Sequence, residues 1–298
     1  MKFAAVLAVK DEAELVDRAI DHLRAIGVDL IVACDMNSTD GTLELLQARR
    51  SDDSFWLILG NDADAEARGW FTAASEAAVK IAEANYDWLL FLDADEFWIP
   101  ASGQLRDCIC LAEADVLSVP RFNIPLVEGS QWNSIEFDPC HYEDLLVIFK
   151  PIPDFRAFLG GDPETPWIRG VPVPKVMARP TYVGGVTMGA HDIIAAGDLP
   201  PRRGTPFDLF IAHLPFTTKT RFARKIANIR KAFALHDQFL GKDQAWHWRR
   251  WMEIVDREGL DREFDRNVFG LETCGELRRQ GIIRSAKDIF LAKMVSSK

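Results

Sequence analysis

The sequence lacks any apolar run approaching the ~18 consecutive residues that a membrane-spanning helix needs. Cysteine is sparse and odd in number, at Cys34, Cys108, Cys110, Cys140 and Cys274. Only Cys108 and Cys110 are close, and neither their spacing nor their neighbours suit a zinc knuckle, so buried free thiols are expected. A basic excess is also missing. The formal net charge of −10 argues against a protein that coats nucleic acid, which needs a positive surface, though it leaves room for a local basic patch. There is no internal repeat and no low-complexity tract. The start of the chain, Phe3 to Val9, has the look of a short signal peptide. The apolar stretch stops at Lys10, Asp11 and Glu12, where a helical pattern begins, so a buried first strand and a cytoplasmic chain are expected.

What is present is an ordinary globular composition, 48% hydrophobic and 27% charged over 298 residues. Short apolar runs alternate with amphipathic stretches in the first third. Strands are expected over 3–9, 29–34, 55–59 and 88–92. Helical spacing links Leu15, Val16, Ala19, Ile20, Leu23 and Ile26, with Gly27 placed to end that helix. Thr39 or Asp40 can cap a helix over 41–49, and Trp70, Ala74, Ala78 and Ile81 share one face of a longer one. Such alternation predicts an α/β fold, a mostly parallel sheet flanked by helices, with ligands at the carboxyl ends of its strands. From about 120 to 206 proline and glycine become frequent, which predicts an irregular, partly β acceptor-side region. After Pro215 the pattern is helical, with a polar break around 256–266.

Three expected strand ends carry polar clusters: Lys10, Asp11 and Glu12; Asp35 through Gly41; and Asp93, Asp95 and Glu96. Two carboxylates two positions apart at a strand exit suit a hard divalent cation that leaves room for phosphate oxygens. Such a cation would neutralise the charge growing on a diphosphate leaving group. Each cluster also has an ordinary explanation. Asp35 to Thr42 are residues that loops and helix caps use anyway. Glu12 could be a first-turn carboxylate favoured by the helix dipole, and Asp93 and Asp95 could form a solvated turn.

Taken together, Val9 to Glu12, then Asp35, Ser38, Asp40, Gly41 and Thr42, then Phe91 to Phe97, resemble the family-2-like glycosyltransferases of the GT-A fold. His213, Thr218, Lys219, Thr220, Phe222 and Lys225 are similar to a further stretch of that group, with Leu214 where relatives commonly have Tyr and Thr220 where they commonly have Ser. The resemblance covers about 230 residues. It implies a GT-A-like domain over 1–235, with a nucleotide-binding half at 1–115, an acceptor side at 116–235, and a helical extension at 236–298. It also implies that Glu12 and Asp35 contact the donor's base and ribose, that Asp93 and Asp95 hold ribose and metal, and that His213 completes the metal shell. Arg68 would help position the donor, and His191 is a candidate because a similar Gly-x-His occurs in the family. Lys219 and Lys225 lie in a basic run that is either a solvated face or a diphosphate contact.

The implied partners are a UDP- or GDP-sugar donor and an acceptor glycan or lipid-linked glycan. With imidazole in the metal shell, Mn²⁺ is expected over Mg²⁺. A proton acceptor for inverting transfer would come from Asp192, Glu143 or Asp144. Trp246, Trp248 and Trp251, with Arg249 and Arg250, suit either peripheral membrane contact or packing onto the core, the commoner arrangement. Competing functions are a nucleotide-sugar-binding protein without transfer activity and a metal-dependent phosphohydrolase. The haloacid-dehalogenase type of the latter usually carries its Asp-x-Asp on the first strand, with Thr or Val soon after; here three strands precede the motif and Glu96 and Phe97 follow it.

Overall fold

In the computed structural model the described residues are 1–60, 76, 78–81, 83, 85–197, 199–236 and 245–296. The expected strands form as β1 (Phe3–Val9), β2 (Leu30–Asp35), β3 (Phe55–Leu59) and β4 (Trp88–Asp93). All seven residues of β1 are buried, because parallel strands covered on both faces read as continuous apolar runs rather than alternating ones. Parallel register pairs Val9 with Asp35 and Ala8 with Asp93. Hence the carboxylates at the ends of β2 and β4 flank the end of β1 on one edge of the sheet.

Two short helices pack beside these strands, α1 (Val16–Ala25) and α2 (Thr42–Ala48). Gly27, at φ +92°, ends α1 as expected. Its N–H donates to Arg24 O and the N–H of Val28 to Leu23 O, both at 3.0 Å, which together make a Schellman stop. Most of the longer helix read from Trp70 and Ala74 lies outside the described residues, although Ala78 is helical and buried.

The chain then does something the apolar pattern did not announce. After a turn at Ala94 and Asp95, residues Glu96–Pro100 form a fully buried strand, β5, which joins a second sheet. The 120–206 region is irregular and partly β, as expected. However, its β10 (Lys175–Ala178) and β13 (Arg203–Gly204), with β6 (Val116–Val119) just before it, complete the main sheet. The strand order is β13-β6-β10-β4-β1-β2-β3, with four of the six pairings parallel. Between these lie β7 (Arg121–Asn123), β8 (Leu126–Val127), β9 (Leu146–Ile148), the paired β11 (Val183–Val186) and β12 (Ile193–Ala195), and the short helices α3 (Cys110–Glu113) and α4 (Phe155–Gly161). The second sheet has the order β5-β14-β7, where β14 is Leu209–His213.

Helices α5 (Lys219–His236), α6 (Trp246–Glu258), α7 (Leu260–Arg266), α8 (Leu271–Arg279) and α9 (Ala286–Ser296) follow. The polar break is a sharp turn at Gly259 between α6 and α7. The last segment is not helical throughout. Its β15 (Val268–Phe269) pairs with β8 and its β16 (Ile283–Ser285) with β9, stitching the C-terminal helices to the middle of the chain. Trp251 is fully buried against Phe216 and Phe222, so for this residue the core-packing alternative is the one found. All five cysteines are free, but Cys140 is exposed, against the expectation of buried thiols; it follows Pro139 in a surface turn. No helix among the described residues is long and apolar enough to cross a membrane.

Two predictions follow from local geometry. At Gly27 an alanine Cβ would meet Gln104 Oε1 at 3.0 Å on an unfavourable backbone. G27A should therefore lower stability by about 1 kcal/mol, read from the denaturant midpoint. His22 is buried between Phe97 and Phe137, its Nε2 2.8 Å from Trp98 O. Burial pushes its pKa down to about 4. As pH falls below about 6.5 the unfolded chain takes up a proton at this histidine and the folded chain does not. Its contribution to stability, full above that pH, should fall away by about 2 kcal/mol at pH 5. H22L should flatten this part of a stability–pH curve; an unchanged curve would contradict the assignment.

Candidate functional site

The carboxyl ends of β1 and β2 interlock through side chains. Asp11 Oδ1 accepts from Thr39 N at 2.6 Å and Oδ2 from Asn228 at 2.8 Å, which helps hold Asp11 at a positive φ of 55°. Thr42 Oγ1 accepts from Glu12 N at 2.8 Å, and Asp40 accepts from Ala13 N at 3.1 Å and from Thr42 N at 3.0 Å. Ser, Thr and Asp in the 35–42 loop thus act as ties between two strand ends. Asp35 differs. It is buried, its Oδ2 accepts from Ser38 N at 3.2 Å, and its Oδ1 has no hydrogen-bond partner among the described residues.

At the exit of β4 the two aspartates separate. Asp93 is half-exposed and takes a 2.8 Å ion pair from Lys175, a lysine on β10 only 1% exposed. Asp95 is 3% exposed and lies under α5, where Arg221 Nη2 reaches its Oδ2 at 2.8 Å and Lys225 Nζ the same oxygen at 3.1 Å. The Arg221 guanidinium also grips Glu12, at 2.6 and 2.9 Å. Burial would raise the Asp95 carboxyl, but Lys225 and Arg221 outweigh it and hold it well below the usual carboxylate range.

The second sheet supplies the rest. Antiparallel register sets His213 opposite Glu96, and parallel register sets it beside Asn123, so these three side chains form one row. Asn123 donates to Ile168 O at 2.9 Å, which turns its Oδ1 toward His213 Nδ1 at 2.7 Å. Nδ1 therefore carries the hydrogen, and the lone pair of Nε2 points at Asp95 Oδ1, 3.7 Å away. Burial, with Arg121 near, keeps this imidazole neutral by pushing its pKa well below the ordinary value. A neutral histidine fixed by a hydrogen bond on its other nitrogen is the usual form of a metal ligand. Ligand atoms of Asp95, Glu96 and His213 lie within 4.8 Å of one another. Glu96 is itself committed to Arg121, to Lys175 at 3.3 Å and to the N–H of Asp93 at 3.0 Å. A divalent cation therefore fits best between Asp95 Oδ1 and His213 Nε2.

Formal charge sets a condition on that fit. Carboxylates Glu12, Asp93, Asp95 and Glu96 are met by Arg121, Lys175, Arg221 and Lys225, so the cluster is neutral as it stands. An added dication would give it a positive excess that only an anionic ligand could satisfy.

Not every residue expected here arrives. Lys219 pairs with Asp265 and Asp261 on α7, at 2.9 and 3.6 Å, away from Asp95. Glu143 is exposed and pairs with Lys287 on α9. Asp144 is exposed on the same segment, whose Tyr142 hydroxyl bonds Pro100 O at the opposite end of β5 from Glu96. Asp192 forms a 2.8 Å ion pair with Arg203 and lines a cavity of about 400 Å³ with Ser118, His191 and Thr205. His191 bonds Pro174 O at 2.8 Å and lies near enough to Lys175 and Asp93 for their charges to act on it. Arg68 lies outside the described residues. Sequence reading missed Lys175, Arg121 and Asn123, and treated Arg221 only as part of a basic run.

No family model matches the chain, and no curated protein does. Among solved structures it is similar to S. aureus TarS 1–349 in complex with UDP, at 13% identity and a TM-score of 0.37, over 94% of this chain and 92% of that one. It is also similar to glucosyl-3-phosphoglycerate synthase from Mycobacterium tuberculosis in complex with Mn²⁺, UDP and phosphoglyceric acid. There the identity is 14% and the TM-score 0.30, over 61% of this chain and 58% of that one.

Arg221 is the member whose loss should be felt most. R221M would leave Glu12 and Asp95 facing each other, and should lower stability by about 3 kcal/mol in chemical denaturation. R221K should recover only part of this, because an ammonium cannot span two carboxylates as a guanidinium does. Full recovery would show that charge alone, and not the fork, holds the site.

Proposed function

We propose that this chain is a metal-dependent glycosyltransferase that uses a nucleoside-diphosphate sugar. The observation that carries the reading is the Asp95–His213 pair: a carboxylate oxygen and an imidazole lone pair facing each other inside a charge-balanced cluster at the carboxyl end of a parallel sheet. This is where such sheets take ligands, and the donor set suits a cation that itself needs an anionic partner. A bound divalent cation would supply Lewis-acid neutralisation of the diphosphate as it leaves. The mixed nitrogen and oxygen donors favour Mn²⁺ over Mg²⁺.

The chain's own residues would share the remaining work. The unpartnered Asp35 Oδ1 offers a buried acceptor for a ribose or base donor group, and Glu12 fixes Arg221. Arg221 and Lys225 sit against Asp95, where diphosphate oxygens would arrive. Lys175 holds Asp93 by one oxygen and leaves the carboxylate half-exposed for the ribose. For inverting transfer Asp192 is the proposed proton acceptor, because its neighbour His191 lies near enough to Asp93 and Lys175 for their charges to act on it, whereas Glu143 and Asp144 lie elsewhere. A sugar-nucleotide binder without transfer activity would share the donor site and differ only on the acceptor side.

A thermal-shift panel of UDP, GDP and other nucleoside diphosphates, with and without Mn²⁺, tests the reading. One of them should raise the melting temperature in a metal-dependent way, since a ligand of the folded state stabilises by mass action. H213A should weaken Mn²⁺ binding by about tenfold in calorimetry with that nucleotide present. D95N should abolish the metal-dependent shift. No shift with any nucleoside diphosphate would overturn the reading. An unchanged Mn²⁺ affinity in H213A would remove His213 from the shell.

A further inference from the structure

Helix α6 brings a group of aromatic rings to the site from a part of the chain that the sequence resemblance does not reach. Trp167 stands edge-on to His213, with ring centres 6.5 Å apart. On its other side His247 lies 5.9 Å away and tilted by only 32°, and Trp246 adjoins His247 at 6.0 Å. Trp167, Trp246 and His247 all remain partly exposed. Behind them the packing is tight: Trp251, 1% exposed, backs Trp167 at 4.9 Å and His247 at 5.8 Å, and Phe216 backs Trp167 at 6.1 Å. The result is a firmly backed aromatic wall, partly exposed among the described residues, that starts beside the proposed metal ligand.

We propose that Trp167, His247 and Trp246 form the acceptor subsite and that the acceptor group bound there is a saccharide ring. This rests on the glycosyl-transfer reading of the same site. A pyranose has one face of C–H groups that packs on aromatic rings and a rim of hydroxyls that needs polar partners. The wall matches both requirements, since each of its rings has an apolar body and a polar nitrogen at its edge. Lys225 and Arg121 lie close enough for their charges to act on His247. Burial, more than those charges, pushes the His247 pKa down to about 4, so the ring is neutral and can both donate to and accept from hydroxyls. An alkyl chain would prefer aliphatic walls without charged neighbours. A nucleobase is expected at the Asp35 loop, on the far side of β1 from β4. Rigid backing matters because a preformed surface orders the acceptor without the cost of ordering itself.

Saturation-transfer NMR on the full chain tests this, with methyl glucoside, methyl galactoside and methyl N-acetylglucosaminide as probes. Hexyl phosphate serves as a lipid-like control, and the best nucleoside diphosphate and Mg²⁺ are present throughout. At least one glycoside should show saturation on its ring C–H protons. That signal should fall about threefold or more in both W246A and H247Q, with nucleoside-diphosphate affinity kept within about twofold, because these rings touch the acceptor and not the donor. H247Q keeps an amide for hydrogen bonds but removes the ring, and so covers the case in which W246A does not fold. The proposal fails if no glycoside is saturated, if hexyl phosphate alone is, if both variants keep the full signal, or if they lose nucleotide affinity equally. If the parent chain binds no nucleoside diphosphate, the failure is that of the glycosyl-transfer reading. Glycoside saturation by the wall would then survive as a separate saccharide site.

Discussion

Arg221 is a buried cation with two anions to satisfy. Its guanidinium lies between Glu12, at the end of the first strand, and Asp95, at the exit of the fourth. It is anchored on a helix more than a hundred residues further along the chain. Burial works against its charge, but the two carboxylates outweigh that and hold it protonated. The arrangement is stable only as a set, because removing one partner of a buried pair strands the other in a medium that cannot solvate it. Around it, Lys225, Lys175 and Arg121 complete the same logic for Asp95, Asp93 and Glu96. The tight packing of the C-terminal helices onto the sheet therefore has an electrostatic reason as well as a hydrophobic one.

Three of the first four strands were legible because a central parallel strand must be apolar on both faces, and β1, β2 and β4 are. The carboxylates at their ends were legible for the same reason: a charge that directly follows a buried run has to lie at the sheet's edge. Lys175 carried no such signal. It sits in a proline-rich stretch, and only the antiparallel pairing of β10 with β4 brings it to Asp93. Asn123 and His213 meet through strand register across ninety residues of sequence, which no local pattern encodes. Strand β5 went unread because Glu96–Pro100 follows β4 after a two-residue turn and looks like its continuation.

The basic helix shows where a finer reading was available. Arg221 and Lys225 are four residues apart and so share a face. Lys219, six residues before Lys225, falls well around the helix from it, and it is found on acidic residues of α7. Periodicity could have separated these lysines once Lys225 was chosen. Glu143 and Asp144 had no comparable anchor. In an irregular segment neither period applies, and burial of Tyr142 on α9 decides which way its neighbours face.

The two halves proposed for the site have different origins in the fold, and this bears on what each could recognise. The groups proposed for the donor side are fixed by sheet register and by the balanced ion cluster, where a change in one charge disturbs several others. The aromatic wall is carried instead by α6 and by the turn before Trp167, held to each other and to α7 through Glu263. That carboxylate is fully buried and takes ion pairs from Arg250 of α6 and Arg266 of α7. Arg266 in turn reaches Glu164, three residues before Trp167. These contacts anchor the wall from α7, while its ties to the ion cluster run through Trp167, which adjoins His213, and through Ile168, whose carbonyl accepts from Asn123. On the proposed reading Trp246 and His247 stand further from His213 than Trp167 does, so changes there would alter the acceptor group before they reach the donor chemistry.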